Sequence, residues 1–264
     1  MTSFLNLMRR HRLTFFFALA LGLTWLAFIP FYLSHGESIP WFTFGPAVSG
    51  FIVAALAGGW SSIKAILASM VKWRVRPIWY LVAFGLPFGA QLASILINPL
   101  LGSAQPAWGN IPAFSEMLPM IALYAVFSGP LGEEPGWRGF ATPSLLASHS
   151  ALASSLILGV IWAVWHFPLG LLGDLSLYGT INVVLAAIVF TWLYQNTGSV
   201  LLAILVHVTH QNSVRFLGKV FVESDYTQQQ WIGVAIWAII AVAIVAYYGT
   251  ESFVRRPTAR IPVV

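Results

Sequence analysis

The feature that most constrains this chain is its shortage of charge: of 264 residues only 8% are Asp, Glu, Lys or Arg, while 58% are hydrophobic. A water-soluble domain carries about 25% charged residues, so a chain this poor in charge cannot cover a surface that faces water. Lipid is the solvent that suits it. The apolar residues gather into eight stretches, about 13–34, 41–59, 77–101, 117–140, 150–172, 179–197, 198–215 and 229–249. Most approach the roughly 20 residues that a spanning helix needs. The expected fold is all-α, a polytopic membrane helix bundle of about eight transmembrane helices forming a single membrane domain over 1–264. With no cysteine in the chain, disulfides and thiol chemistry are excluded.

Orientation follows from where the cations lie rather than from the net charge of +5. Arg9, Arg10 and Arg12 precede span one. Lys64, Lys72, Arg74 and Arg76 lie between spans two and three, and Arg255, Arg256 and Arg260 follow span eight. An even number of spans puts all of these on one side, which the positive-inside bias makes the cytoplasm. Both termini are therefore expected to be cytoplasmic, with the first span an uncleaved signal anchor. The opposite loops hold Glu37, Glu116, Asp174, Glu223 and Asp225, and only Arg215 and Lys219 run against the bias. The stretch from Trp60 to Arg76 mixes apolar and basic residues, as a segment lying along the cytoplasmic interface does. The expected partners are membrane lipid and a membrane-bound peptide or protein, not nucleic acid. Short loops suit a bacterial cytoplasmic membrane.

Three clusters of polar residues break the apolar pattern. The first is Gly132-Glu133-Glu134-Pro135-Gly136-Trp137-Arg138. An ionisable group at mid-bilayer costs about 2.5–3.5 kcal/mol on insertion scales, so three together must face water or one another. On a helix Glu134 and Arg138 stand four apart with the acid first, the better order for an ion pair. Glu133 points about 100° away and lacks that partner, which suits it to general-base work. Pro135 and Gly136 should kink or break the helix here. The bland alternative is a structural ion pair that locks a kink.

The second cluster is Trp162-Ala163-Val164-Trp165-His166. A lone His in an apolar helix is more often a hydrogen-bonded core residue than a catalyst. Its depth argues otherwise, because Glu133 lies 16 residues before His149 and His166 lies 17 after it. An antiparallel hairpin turning at Ser148-His149-Ser150 would bring the two to nearly equal depth, about 25 Å from the turn. The third cluster is His207-Val208-Thr209-His210-Gln211-Asn212. Gln211 shares a face with His207, and Asn212 is rotated away. His210 can join the same cavity or pair with Gln211. Polar glue between helices would account for Thr209 and His210, but less well for a His207–Gln211 pair at that depth.

A Glu, two His and an amide converging in a wet cavity can activate water. Glu133 would take the proton with His166 orienting or sharing it, while His207 and Gln211 would donate to an oxyanion. Glu133, His166 and His207 could alternatively ligate a Zn²⁺ that activates the water. No His-Glu-x-x-His run or serine nucleophile elbow is present.

The order Glu133-Glu134 with Arg138, then Trp162 with His166, then His207 with Gln211 resembles the CPBP family of intramembrane proteases. This is the CAAX-processing and bacteriocin-protection group, also called the Abi family. The resemblance covers roughly residues 117–215, the CAAX protease-like core. It implies an endopeptidase that hydrolyses a peptide bond of a membrane-associated, prenylated or lipid-anchored substrate. Catalytic roles then fall on Glu133, His166, His207 and Gln211, and supporting ones on Glu134, Arg138, Trp162 and Asn212. Two positions depart from the family pattern: Trp162 stands where Phe is usual, and Gln211 where Asn is usual. Either Gln211 substitutes or a helix bulge brings Asn212 round. Two rival readings use the same residues: a proton-coupled transporter, and a non-catalytic immunity or binding protein on the same scaffold.

Overall fold

The computed structural model describes residues 2–35, 41–127, 129–173 and 176–255. Glu37, Asp174, Arg256 and Arg260, which the charge-bias argument uses, lie outside the described residues. Each expected stretch becomes a helix long and apolar enough to cross a membrane: Arg12–Leu33, Phe42–Met70, Ile78–Leu101, Phe114–Leu146, Ala151–Leu172, Leu177–Thr197, Val200–Val220 and Glu223–Tyr248. No strand occurs among the described residues. The chain is a multi-pass membrane helix bundle.

In finer detail, α1 (Thr2–Arg10) leads into α2 (Arg12–Leu33) and α3 (Gly45–Met70). Gly59, with φ 68° and ψ −154°, interrupts α3, so the residues from Trp60 onward form a separate helical piece with Trp60 exposed. A positive φ of this kind is one that glycine adopts readily and bulkier residues do not. After α4 (Ile78–Ile97) the chain returns through α5 (Phe114–Phe127), α6 (Pro130–Gly136) and α7 (Thr142–Leu146). It then makes α8 (Ala151–Trp165), α9 (Leu177–Thr197), α10 (Val200–Asn212) and α11 (Glu223–Tyr248).

Turn chemistry sets the joints. Ser150, Ser176 and Ser199 each accept a backbone N–H bond three residues on and so cap α8, α9 and α10. This satisfies donors that a helix start leaves open. The α9–α10 joint needs only Gly198 in the left-handed conformation and Ser199 as the next cap. The turn expected at Ser148-His149-Ser150 lies there, between α7 and α8.

Span four corrects one expectation. Pro135 and Gly136 do not break the helix. α6 runs through both and widens into a π-helical turn, Trp137–Ala141, before α7. Within the wider turn the Thr142 hydroxyl donates to the Trp137 carbonyl. The interruption falls earlier, at Gly129, whose φ of 119° separates α6 from α5.

Loop contacts sort the bundle into two ends. At one, Ala151 and Leu152 donate to the carbonyls of Glu251 and Thr250, the Asn196 amide donates to Phe253, and the Ser199 hydroxyl donates to Lys72. At the other, Ala107 donates to the Val220 carbonyl and Asn98 to that of Asp225. The Lys72–Arg76 segment therefore lies at the first end, and the loops around 98–110 and 218–228 at the second.

Candidate active site

Close helix packing places span four. Gly132 and Gly136 of α6 face the backbone of Thr43, Phe44 and Pro46, and Gly50 stands opposite Gly136, so no Cβ fits between α3 and α6. Small residues permit such approach in lipid, where packing rather than hydrophobicity holds helices together. The seam presses Glu133, Glu134, Trp137 and Arg138 into the protein interior, where all four are buried.

The two adjacent acids have different partners. Glu134 and Arg138 form the expected i,i+4 ion pair at 3.2 Å. The same Glu134 carboxylate accepts from His207 Nδ1 at 2.7 Å. The Arg138 guanidinium stacks 4.3 Å from the Trp162 ring centroid and 4.6 Å from that of Phe190, a placement that suits its weakly hydrated planar charge. Glu133 has no cation of its own. Its Oε2 accepts indole N–H bonds from Trp162 at 2.5 Å and Trp137 at 3.3 Å.

The imidazoles are oriented from behind. His166 caps the end of α8, and its Nδ1 donates to the Trp162 carbonyl at 2.8 Å, which leaves Nε2 as the acceptor. His207 directs Nδ1 to Glu134 and likewise leaves Nε2. A Cβ placed on Gly129 would collide with Glu133 Oε1 and lie 3.7 Å from His207 Cε1, so both groups flank this one glycine. Trp162 lies between the two histidines, 6.1 Å from the His166 ring and 5.5 Å from the His207 ring.

Glu133, Trp162, His166, His207, His210 and Gln211 all line one cavity of about 770 Å³. Asn212 does not line it, and its amide is turned to the Val208 carbonyl at 2.8 Å. A π-helical bulge is present, but it spans Ser213–Leu217 and begins one residue too late to rotate Asn212 inward. Of the two amides, Gln211 is the one that lines the cavity. His210 joins the cavity and pairs with Asn182, whose amide donates to Nε2 at 3.1 Å.

Residues 115–212 match the family described as type II CAAX prenyl endopeptidase Rce1-like. Over these residues the chain is similar to that family. A CAAX prenyl protease 2 of Methanococcus maripaludis is 25% identical over 139 residues, which cover 48% of this chain and 47% of that protein. The chain thus spans about half the length of the relative it matches.

The Rce1-like segment contains all three polar clusters. Among the described residues, no three His, Asp or Glu side chains are grouped so as to hold a metal ion. Two features of the site escaped the sequence reading. Trp137 is a second indole donor to Glu133, detectable as another i,i+4 pair beside Glu134–Arg138. Arg215 and Lys219, legible there only as exceptions to the charge bias, line the same cavity.

Proposed function

We propose that this protein is an intramembrane endopeptidase that hydrolyses a peptide bond of a membrane-associated substrate, using water activated by Glu133 and His166. The observation that carries this reading is the shared cavity: an acid from α6, an imidazole from α8, and an imidazole and an amide from α10 line one void. Water-filled cavities are where membrane proteins tolerate such groups, and those groups mark function.

The division of labour follows from the hydrogen bonds. With Oε2 of Glu133 held by two indoles, Oε1 is the oxygen that takes the proton of the attacking water. His166 Nε2 accepts a hydrogen bond from the same water and orients it, and the proton that Glu133 took goes on to the leaving amine. These are ordinary general acid–base roles. Gln211 donates its amide to the carbonyl oxygen as it becomes an oxyanion. His207, held by Glu134, is the second group placed to assist at that oxygen. Glu134 and Arg138 stay buried as a charge-balanced support. The M. maripaludis relative is described as a CAAX prenyl protease, and a lipid-anchored peptide is the substrate class to try first.

The test is cleavage of membrane-tethered peptides by the full chain in liposomes. Wild-type cleavage that Glu133→Gln reduces by about 10³-fold or more supports the proposal, the scale at which acid–base and oxyanion contributions act together. Cleavage that survives this substitution rejects it. Proton-driven solute flux in the same liposomes would favour transport.

A further inference from the structure

The cavity has an uneven charge. Glu133 is the one carboxylate among the described residues that line it, and it lies deep against Trp137 and Trp162. Arg215 and Lys219 line it near the loops at the other end. Neither has a carboxylate within ion-pairing distance among the described residues. Arg215 is held instead over the Tyr124 ring, 3.7 Å from its centroid. Arg215 is part-buried and Lys219 exposed, and both run against the charge bias with no acid among the described residues to account for them.

These cations continue the catalytic face. His207, Gln211, Arg215 and Lys219 follow one another at intervals of four residues, and all four line the cavity. On a regular α-helix each such step turns about 40° too far, so three would carry Lys219 about 120° off the face. The π-helical turn Ser213–Leu217 lies within this run, and its wider winding takes up part of that drift. The bulge that does not serve Asn212 thus keeps Arg215 and Lys219 turned to the cavity.

We infer that Arg215 and Lys219 form a subsite for a carboxylate of the substrate peptide. The inference rests on the peptidase reading. Eight residues at about 1.5 Å rise put Arg215 about 12 Å from His207 along the helix. An extended peptide covers that in about three to four residues. The carboxylate is either the peptide's C-terminus or an acidic side chain at that distance from the cleaved bond. Arg215 supplies paired N–H donors and Lys219 a mobile point charge.

Binding is measured separately from cleavage, so the two readings can fail separately. Membrane-tethered fluorescent peptides are made with a free C-terminus, with an amidated C-terminus, and with Asp and Glu exchanged for Asn and Gln. Each is titrated onto Glu133→Gln protein in liposomes, and the same set is offered to the wild type for cleavage. Carboxylate peptides should bind about tenfold more tightly than one of the two amide forms, as a charge-assisted hydrogen bond gives. Whichever exchange loses the tenfold identifies the source of the carboxylate. Adding R215Q and K219Q should erase the preference, and R215E with K219E should reverse it toward peptides ending in an amine. That reversal is a result a merely structural role would not give. Equal affinity for all forms, a preference that survives R215Q/K219Q, or one that tracks the anionic lipid content instead of the peptide, overturns the subsite. A carboxylate preference without wild-type cleavage overturns the peptidase and leaves the subsite standing.

Discussion

Trp162 donates its indole N–H to Oε2 of Glu133 at 2.5 Å from 29 residues further along the chain. The same residue accepts from His166 through its backbone carbonyl and stacks on Arg138. One tryptophan therefore fixes the carboxylate, the imidazole and the supporting cation. Trp162→Phe keeps the ring and removes the donor. We expect kcat to fall about tenfold or more and stability in detergent to fall by about 1.5–3 kcal/mol, the contribution of a hydrogen bond to a charged group. Trp162→Ala should also lower stability, by about 3–5 kcal/mol. Equal kcat for wild type and Trp162→Phe would remove the indole from the mechanism.

The Glu134–Arg138 pair is wholly buried, and breaking one member leaves the other charge stranded. Glu134→Gln and Arg138→Ala should each destabilise the protein by about 3–5 kcal/mol, read as denaturant or thermal unfolding in detergent. Arg138→Lys should rescue little, because an ammonium cannot reproduce a plane stacked between Trp162 and Phe190. A stable, active Arg138→Lys protein would show that charge alone is what the position needs.

How far the sequence could be read depended on the kind of physics involved. The eight spans follow from hydrophobic run length, which is local, and all eight form. The Glu134–Arg138 pair follows from helix spacing and is present at 3.2 Å. The shift of the break from Pro135-Gly136 to Gly129 was not legible, because a proline in a helix can be absorbed by a π turn as well as by a kink. The packing of α3 against Gly132 and Gly136 holds that stretch helical, and packing partners are not written in the local sequence. Which of Gln211 and Asn212 lines the cavity depends on where the helix widens, Ser213 rather than one residue earlier. Local pattern does not specify that boundary.

The amide question has its own test. Gln211→Ala should lower kcat by about 10²–10³-fold with a small change in KM, as loss of one oxyanion donor does. Asn212→Ala should leave kcat near the wild-type value, since its amide serves the Val208 carbonyl. The reverse pattern would mean that α10 rotates when substrate binds.

Metal dependence is tested by elemental analysis of the purified protein together with cleavage in the presence of a chelator. The geometry of Glu133, His166 and His207 leads us to expect activity that persists under chelation. Stoichiometric zinc that is lost with His166→Ala, together with chelator-sensitive cleavage, would replace the side-chain mechanism with a metal-activated water.

The last prediction concerns which face of the membrane the cavity serves. Lys72–Arg76 lies at the bundle end with Ser199 and Glu251, and the cavity is lined toward the opposite end by Gly173, Ser176 and Lys219. If the basic loops are cytoplasmic, as the charge bias expects, the cavity opens on the non-cytoplasmic face and meets substrates there. The chain has no cysteine, so single exposed positions can be labelled without background. Ser61→Cys lies beyond the Gly59 interruption, and Gln105→Cys lies in the loop that contacts Val220. In intact cells a membrane-impermeant maleimide should label Gln105→Cys at once and Ser61→Cys only after permeabilisation. Labelling in the opposite order would turn the bundle over, place the cavity on the cytoplasmic side, and move the search for substrates to proteins anchored on that face.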